Sequence, residues 1–351
     1  MIEHGHFTGK VNAPAGKVWQ FGVIGYGYWG PNVARNLILI KETAVKTICD
    51  QNPETLQRAA EFYPAVTLTE NAEDIYQDPE IDVVAVITPV STHYALAKRA
   101  LESGKHVFVE KPFTFNVKQA EELITLAEEK GLTIMVDHTF LFTGAVRHIK
   151  KEIDAGNIGE VYYYDSTRVN LGLFQQDVNV IWDLAPHDFS ILDFLVGRKP
   201  IRLSALGLDH FGRGIENIAY VTVYFEENLI AHFNFNWLSP VKVRNTLIGG
   251  SKKMVVWDDM LRDEKIKIYD KGVDVESREG IYRSLIDYRL GDMYSPRINP
   301  AEALKQELIY LVECLQQGTT PINDGHAGLR IVRMLEAADS SLKRGGKVIE
   351  L

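Results

Sequence analysis

Cysteine is nearly missing from this sequence: Cys49 and Cys314 are the two in 351 residues. A disulfide framework or a thiolate metal site needs more of them at closer spacing, so neither is expected, and a reducing, cytoplasmic setting is. Long apolar runs are missing too. No stretch could span a bilayer, and the opening MIEHGHFTGKVNAPAGK lacks the continuous apolar block of a secretory leader. Positive charge is in deficit, with 38 Lys and Arg against 47 Asp and Glu, a net charge of -9. No basic run stands out that could neutralise a nucleic-acid backbone or an anionic membrane, so neither is an expected partner. What remains is an ordinary globular composition, 46% apolar and 24% charged, in a chain too long for one core, which predicts two domains.

Residues 1–17 have little periodicity and read as an arm. From Val18 short apolar runs alternate with amphipathic stretches: VWQFGVI, PNVARNLILI, AVKTICD, PETLQRAAEFY, then DVVAVIT, KHVFVE and LTIMVD. This strand-helix rhythm predicts parallel strands joined by crossover helices over 18–138. The helices carry their own punctuation. Asn52 precedes Pro53 at a first helical position, Asn116 with Gln119 spells a capping box, and Gly104 and Gly131 stand where C-caps belong.

Over 139–351 the rhythm changes. After a helical stretch around AVRHIKKEIDAG come EVYYYDSTRVN, IAYVTVYFEENLIAHFNFNWLS, KVRNTLIGG and KKMVVWDD, consecutive strands with short polar turns such as Glu226–Asn228. The fold class is therefore α/β followed by an α+β domain whose sheet is mostly antiparallel. In AHFNFNW, Phe233, Phe235 and Trp237 alternate with His232, Asn234 and Asn236, giving one apolar face and one polar face. The polar face suits solvent, or contact with a second copy, to which Tyr220, Thr222 and Tyr224 could add. Two helices close the chain, and the last can pack back on the first domain.

The sequence VIGYGYWGPNVARN places Gly25, Gly27 and Gly30 as G-x-G-x-x-G between a strand and a helix, with Tyr28 and Trp29 inside the loop. A dinucleotide pyrophosphate needs a tight turn, a backbone free of Cβ atoms and a helix N-terminus facing the anion, and glycine meets all three demands. Asp50 ends the next strand, twenty positions after Gly30. A carboxylate there accepts hydrogen bonds from ribose hydroxyls and repels an extra phosphate, which favours NAD over NADP. An aspartate that only opens the turn DQNP would look the same in isolation.

Three further features fall at predicted strand ends or on a helix. Thr88 and Pro89 end the strand DVVAVIT, and His93 begins the helix after it, either as a helix-start residue or as a cofactor contact. Glu110 and Lys111 end KHVFVE on the same edge, where such sheets bind ligands. Asp183 and His187 are four apart in VIWDLAPHDFSILDFLVG. If that stretch is helical they share a face, and the carboxylate can fix the imidazole tautomer. Pro186 predicts that the helix begins near Ala185 or is kinked. A capping Asp and a surface His remain the plainer alternative.

GYGYWG, Asp50, TPVSTH, EKP at 110–112, GNIGEV at 156–161 and the Asp183/His187 pair, in that order, resemble the glucose-fructose oxidoreductase, inositol dehydrogenase and MocA (Gfo/Idh/MocA) family from about Val18 to the C-terminus. The resemblance implies an N-terminal Rossmann domain and a C-terminal domain with an open sheet for substrate binding and oligomerisation, as a homodimer or homotetramer. It implies hydride transfer between a sugar hydroxyl carbon and NAD, or less readily NADP. Lys111 maps onto the family's EKP lysine, and Asp183 with His187 onto its D-x-x-x-H pair. Imidazole titrates near neutrality, so His187 is assigned as base, Asp183 as its orienter and Lys111 as alkoxide stabiliser; a lysine base is the other arrangement found in the family. Arg168 and Asn170 are candidates for the substrate pocket, with ordinary sheet-edge roles equally open. The C-terminal tail is most similar to members acting on nucleotide-linked sugars. Two other functions stay open: a non-catalytic nicotinamide-binding regulator, and an NAD-using lyase or glycosidase that oxidises its substrate transiently. No metal is expected.

Overall fold

The computed structural model describes residues 16–172, 178–274 and 287–351, so all but the last two residues of the expected arm lie outside it. The chain divides into two compact units, with boundaries at Phe142/Thr143, Pro300/Ala301 and Arg333/Met334; residues 301–333 belong to the first and 334–351 to the second.

The first unit holds six parallel strands, β1 (Trp19–Ile24), β2 (Thr43–Cys49), β3 (Thr67–Thr69), β4 (Val83–Val86), β5 (His106–Glu110) and β6 (Ile134–Asp137), in the order β3-β2-β1-β4-β5-β6. Helices cover both faces of such a sheet, so its strands are apolar without alternation. Val83–Val86 and Val107–Val109 are accordingly 0% exposed. The order reverses between β1 and β4, which opens a crevice beyond their C-terminal ends.

The helices α1 (Gly30–Leu39), α2 (Pro53–Phe62), α3 (Glu73–Tyr76), α4 (Val90–Glu102) and α5 (Val117–Lys130) follow the strands. Asn52 Oδ1 accepts the Glu54 amide at 2.9 Å and Asn116 Oδ1 the Gln119 amide at 2.9 Å, caps worth about 1 kcal/mol each. The return bond of the expected capping box goes one residue earlier, from the Phe115 amide to Gln119 Oε1 at 3.3 Å. Gly131 ends α5 at φ +65°.

The second unit opens with α6 (Gly144–Asp154), β7 (Val161–Leu171) and α7 (Val180–Val196). Then come β8 (Pro200–Leu208), β9 (Ile218–Phe225), β10 (Ile230–Asn236), β11 (Leu238–Gly250), β12 (Met254–Asp258), β13 (Ile266–Tyr269), β14 (Gly272–Asp274), β15 (Asp287–Arg289) and β16 (Met293–Tyr294); β17 (Ile349–Glu350) closes the chain. Nine of these form one sheet, β16-β13-β12-β11-β7-β10-β9-β8-β17, antiparallel throughout except where β10 runs parallel to β7. The turn between β9 and β10 uses positive φ at Glu227 and Asn228, which matches the twist of a hairpin.

Phe233, Phe235 and Trp237 are at most 1% exposed, and the ring of Phe189 on α7 sits 5.1 and 6.2 Å from the two Phe rings. Burial of each ring contributes roughly 2–3 kcal/mol, and together they seat α7 on this face of the sheet. Two more helices, α8 (Ala303–Gln317) and α9 (Gly325–Lys343), precede β17. In the first unit α8 packs on α1 and on the 3-10 turn Thr139–Phe142, where the Phe142 and Tyr310 rings lie 5.4 Å apart. None of the described helices is long and apolar enough to cross a membrane.

Candidate active site

The glycine loop after β1 divides its work among three residues. Gly25 has φ +95°, and a Cβ on it would stand 2.1 Å from the Ile87 carbonyl oxygen; a Cβ on Gly30 would stand 2.4 Å from the Gly25 carbonyl oxygen. These two permit the close packing of the turn. Gly27 differs, since nothing among the described residues lies within 4 Å of where its Cβ would be. It leaves open space at the start of α1, whose N-cap residue Trp29 provides no side-chain cap and whose first turn has no acidic residue. Tyr28 is 88% exposed beside it. The residues thus fit a dinucleotide: an open backbone, an uncapped helix N-terminus and no competing negative charge on that turn.

Asp50 follows β2 and is fixed from both sides. Its Oδ2 accepts the Tyr26 amide of the glycine loop at 2.7 Å, and its Oδ1 accepts the Asn52 amide at 2.9 Å. The carboxylate is therefore held against the loop that would carry the pyrophosphate, where ribose hydroxyls can reach it. Replacing it relieves a carboxylate–phosphate repulsion of about 1–2 kcal/mol, so Asp50→Ser should improve NADP binding relative to NAD about tenfold. Titration of both cofactors checks this, and an unchanged ratio contradicts it.

Thr88 and Pro89 follow β4, and Glu110 and Lys111 follow on β5, the next strand of the sheet. His93, on α4, is 0% exposed and joins these two loops: its Nε2 lies 2.7 Å from the Thr88 carbonyl oxygen and its Nδ1 2.9 Å from that of Pro112. Its polar atoms thus face protein backbone and hold the lysine turn in place. Burial, the largest influence, pushes the imidazole below its ordinary value, against the two carbonyls that favour the charged form.

In the second unit, α7 starts earlier than Pro186 suggests. Asn179 caps it by accepting the Ile181 and Trp182 amides, and Pro186 lies inside the helix. A proline there removes only the bond to the Trp182 carbonyl, and burial of eleven residues of α7 outweighs that loss. Asp183, Leu184 and His187 form its half-exposed face. Asp183 Oδ2 accepts the Trp237 indole N–H at 2.9 Å, so a residue of the buried aromatic row orients that carboxylate. The sequence marks Trp237 as apolar but not its polar partner.

Arg168 is 4% exposed and its Nε donates to Asp188 Oδ2, while the Ser166 hydroxyl donates to Asp188 Oδ1 at 2.6 Å. The pair ties β7 to α7 one residue past His187, a structural task that replaces the exposed sheet-edge role and occupies the side chain otherwise expected to line the substrate pocket. Asn170, two positions on, is half-buried near Gly172 and Trp237. Removing one member of a buried ion pair leaves the other uncompensated, so Arg168→Met should cost about 3–5 kcal/mol in urea unfolding, with much of it recovered in Arg168→Met/Asp188→Leu. A loss below about 1 kcal/mol, the value of a surface pair, would contradict this.

A six-stranded parallel sheet in this order, with an open glycine loop and a fixed carboxylate at its switch point, defines a dinucleotide-binding protein with a separate sheet-bearing unit. The chain belongs to the Gfo/Idh/MocA family: residues 19–138 match the family model described as oxidoreductase family, NAD-binding Rossmann fold, and residues 146–256 match the GFO/IDH/MocA C-terminal domain. It is thus an oxidoreductase with an NAD-binding Rossmann domain.

The chain is 31% identical over 190 residues to UDP-N-acetylglucosamine 3-dehydrogenase of Acidithiobacillus ferrooxidans, an alignment spanning 53% of this chain and 57% of that one. The solved structure of that enzyme superposes with a TM-score of 0.79 at 22% identity, covering 93% of this chain and 97% of the other. Identity to scyllo-inositol 2-dehydrogenase (NAD(+)) of Bacillus subtilis is 26% over 317 residues, 86% and 87% of the two chains. Levoglucosan dehydrogenase, solved in complex with NADH, has a TM-score of 0.81 at 18% identity and covers 95% and 98%.

Proposed function

We propose that this chain is an NAD-dependent dehydrogenase that moves hydride between a hydroxyl-bearing carbon of a sugar, nucleotide-linked in its physiological form, and nicotinamide. The observation that carries the reading is the alignment of strand ends in the first unit. The glycine loop after β1, Thr88 and Pro89 after β4, and Glu110 with Lys111 at the end of β5 stand on one edge of neighbouring strands. An amine is thereby set on the edge that receives the dinucleotide.

NAD supplies the hydride acceptor when bound. The chain must manage the proton, because the hydroxyl loses it as its carbon gives up hydride. His187 takes that proton, Asp183 orients the imidazole, and the Lys111 ammonium stabilises the developing alkoxide. The sugar assignment is supported by the relatives named for sugar and cyclitol substrates, and the nucleotide by UDP-N-acetylglucosamine 3-dehydrogenase together with the C-terminal tail. Two buried free cysteines fit a reducing cytoplasm.

A second copy of the chain is the proposed partner of the outer sheet face. There Leu206, Tyr220 and Asn234 are register partners, as are Arg202, Tyr224 and Ile230. Leu206 is 59% and Tyr220 48% exposed, with the Tyr220 ring stacked on His232. Sedimentation of the protein tests this: a dimer or tetramer that Tyr220→Asp dissociates is expected, and a monomer contradicts it. The substrate is tested by NADH formation over nucleotide sugars, free aldoses and cyclitols. Turnover with a lower KM for nucleotide sugars is expected, and no turnover with any of them overturns the reading.

A further inference from the structure

Three carboxyl groups that take no part in the proton transfer above meet behind the lysine turn. Glu110 and Asp137 end the adjacent parallel strands β5 and β6 as direct register partners, so their side chains leave the sheet side by side. Glu307 on α8 is fully buried; its Oε1 accepts from Asn323 Nδ2 at 2.8 Å, and its carboxyl meets that of Asp137. Asp137 is 1% exposed. Its Oδ2 accepts the Trp29 indole N–H at 2.7 Å and its Oδ1 accepts the Thr139 hydroxyl.

Glu307 Oε2 is buried with no hydrogen bond of ordinary geometry among the described groups, and the Thr139 hydroxyl beside the carboxyl is the one influence that favours its charged form. An ionised oxygen there would be an unpaired buried charge, whereas a protonated one becomes a donor aimed at Asp137. Glu110 is half-exposed as a residue, and its carboxyl, beside Asp137 in the register, shares a hydrogen bond with it. Burial first, and the Asp137 charge second, push both glutamates well above the ordinary carboxylate range. Of the other charged or titratable groups near the cluster, Lys111 opposes the rise at Glu110, and His138 is pushed down to about 3 by burial, with Arg330 and Lys111 adding to that effect. No cluster of His, Cys, Asp or Glu among the described residues is arranged to hold a metal ion.

We propose that Glu110 and Glu307 stay protonated at neutral pH and hydrogen-bond through those O–H groups to Asp137, making it the single anionic hub of a positioning cluster that ties the dinucleotide loop, through Trp29, to the turn carrying Lys111. Four donors then converge on one carboxylate: an indole N–H, a hydroxyl and two carboxyl O–H groups. Loss of either glutamate proton sets a second negative charge against Asp137 and breaks one of those bonds. Trp29 and the Lys111 turn then lose their common anchor, so cofactor affinity falls on the alkaline side. The inference rests on the reading that the glycine loop and Lys111 serve NAD.

Glu307→Gln tests it, because the amide donates a hydrogen bond as the acid does but does not titrate. A carboxyl whose folded-state value is raised contributes stability that is full below its unfolded value near ~4.3 and is lost as pH rises through the folded value. The thermal midpoint of Glu307→Gln should therefore exceed that of the wild type by a margin that widens with pH. Wild-type NADH affinity should weaken by up to about tenfold per pH unit on the alkaline side, while the variant holds its affinity to higher pH. Trp29→Phe, which cuts the tie and spares the carboxyls, should weaken NADH binding at neutral pH and flatten its pH dependence. Glu307→Gln curves that coincide with the wild type in both measurements would overturn the proposal. A widening midpoint margin in a protein that binds no NADH would support the shared protons and overturn the cofactor reading instead.

Discussion

His187→Ala should lower kcat by about 100- to 10,000-fold, the usual contribution of a positioned acid or base, while the dissociation constant for NAD should stay where it was. The split follows from where the residue sits. His187 lies on the half-exposed face of α7, in the unit that does not carry the glycine loop. The helix itself is held by the Asn179 cap, the Trp237–Asp183 bond and the Arg168–Asp188 pair, none of which involves the imidazole. Alanine also favours helix, so the fold should be unaffected and the loss confined to chemistry. Initial rates of NADH formation and a fluorescence titration with NADH separate the two quantities. A variant within about threefold of wild-type kcat, far less than a lost general base costs, would remove His187 from the proton path.

Lys111→Met should lower kcat by about 100- to 1,000-fold, the scale seen when one donor to a developing oxyanion is removed. The substitution keeps most of the apolar stem and deletes the charge. A lysine that merely reaches solvent from a strand end would respond in the opposite way, with altered stability and intact turnover per folded molecule. Here the turn is already braced by His93 between the Thr88 and Pro112 carbonyls, so the unfolding midpoint should barely move. If Lys111 and His187 serve the same hydroxyl, the double variant should lose much less than the product of the single losses, because each single change already disables the step. Fully multiplicative losses would place them in separate steps.

Much of the first unit is legible because each local signal is covalently close to what it governs. Asn52 and Asn116 cap helices two and three residues away, Gly131 ends its own helix, and the apolar runs of β4 and β5 record burial on both faces. The glycine loop is readable for the same reason, since Gly25 and Gly30 answer contacts made within one strand-turn-helix unit or with its neighbouring strand. In the second unit the alternation in AHFNFNW correctly separates buried Phe233, Phe235 and Trp237 from the outward row.

What the sequence hides is pairing across distance. Glu307 meets Asp137 only because α8 returns to the first unit, and nothing local to either residue announces it. Arg168 looks like a pocket residue because a strand arginine is normally exposed; its burial depends on Asp188 arriving from α7. The early start of α7 is hidden because Pro186 signals a lost backbone bond locally, whereas the eleven buried residues that hold the helix together are set by distant packing; of the two expectations, a start near Ala185 is the one the structure replaces. The parallel placement of β10 beside β7 is likewise a topological choice that period-two alternation leaves open.

The central claim is that hydride passes from a sugar carbon to nicotinamide and stays there. It is tested most directly with a turned-over sugar deuterated at its carbinol positions, with NAD supplied in excess and the recovered cofactor examined by mass spectrometry. The account predicts one deuterium in each NADH released, in step with formation of the keto sugar. Deuterium that returns to the carbohydrate with no net NADH, or that never leaves it, would contradict the account.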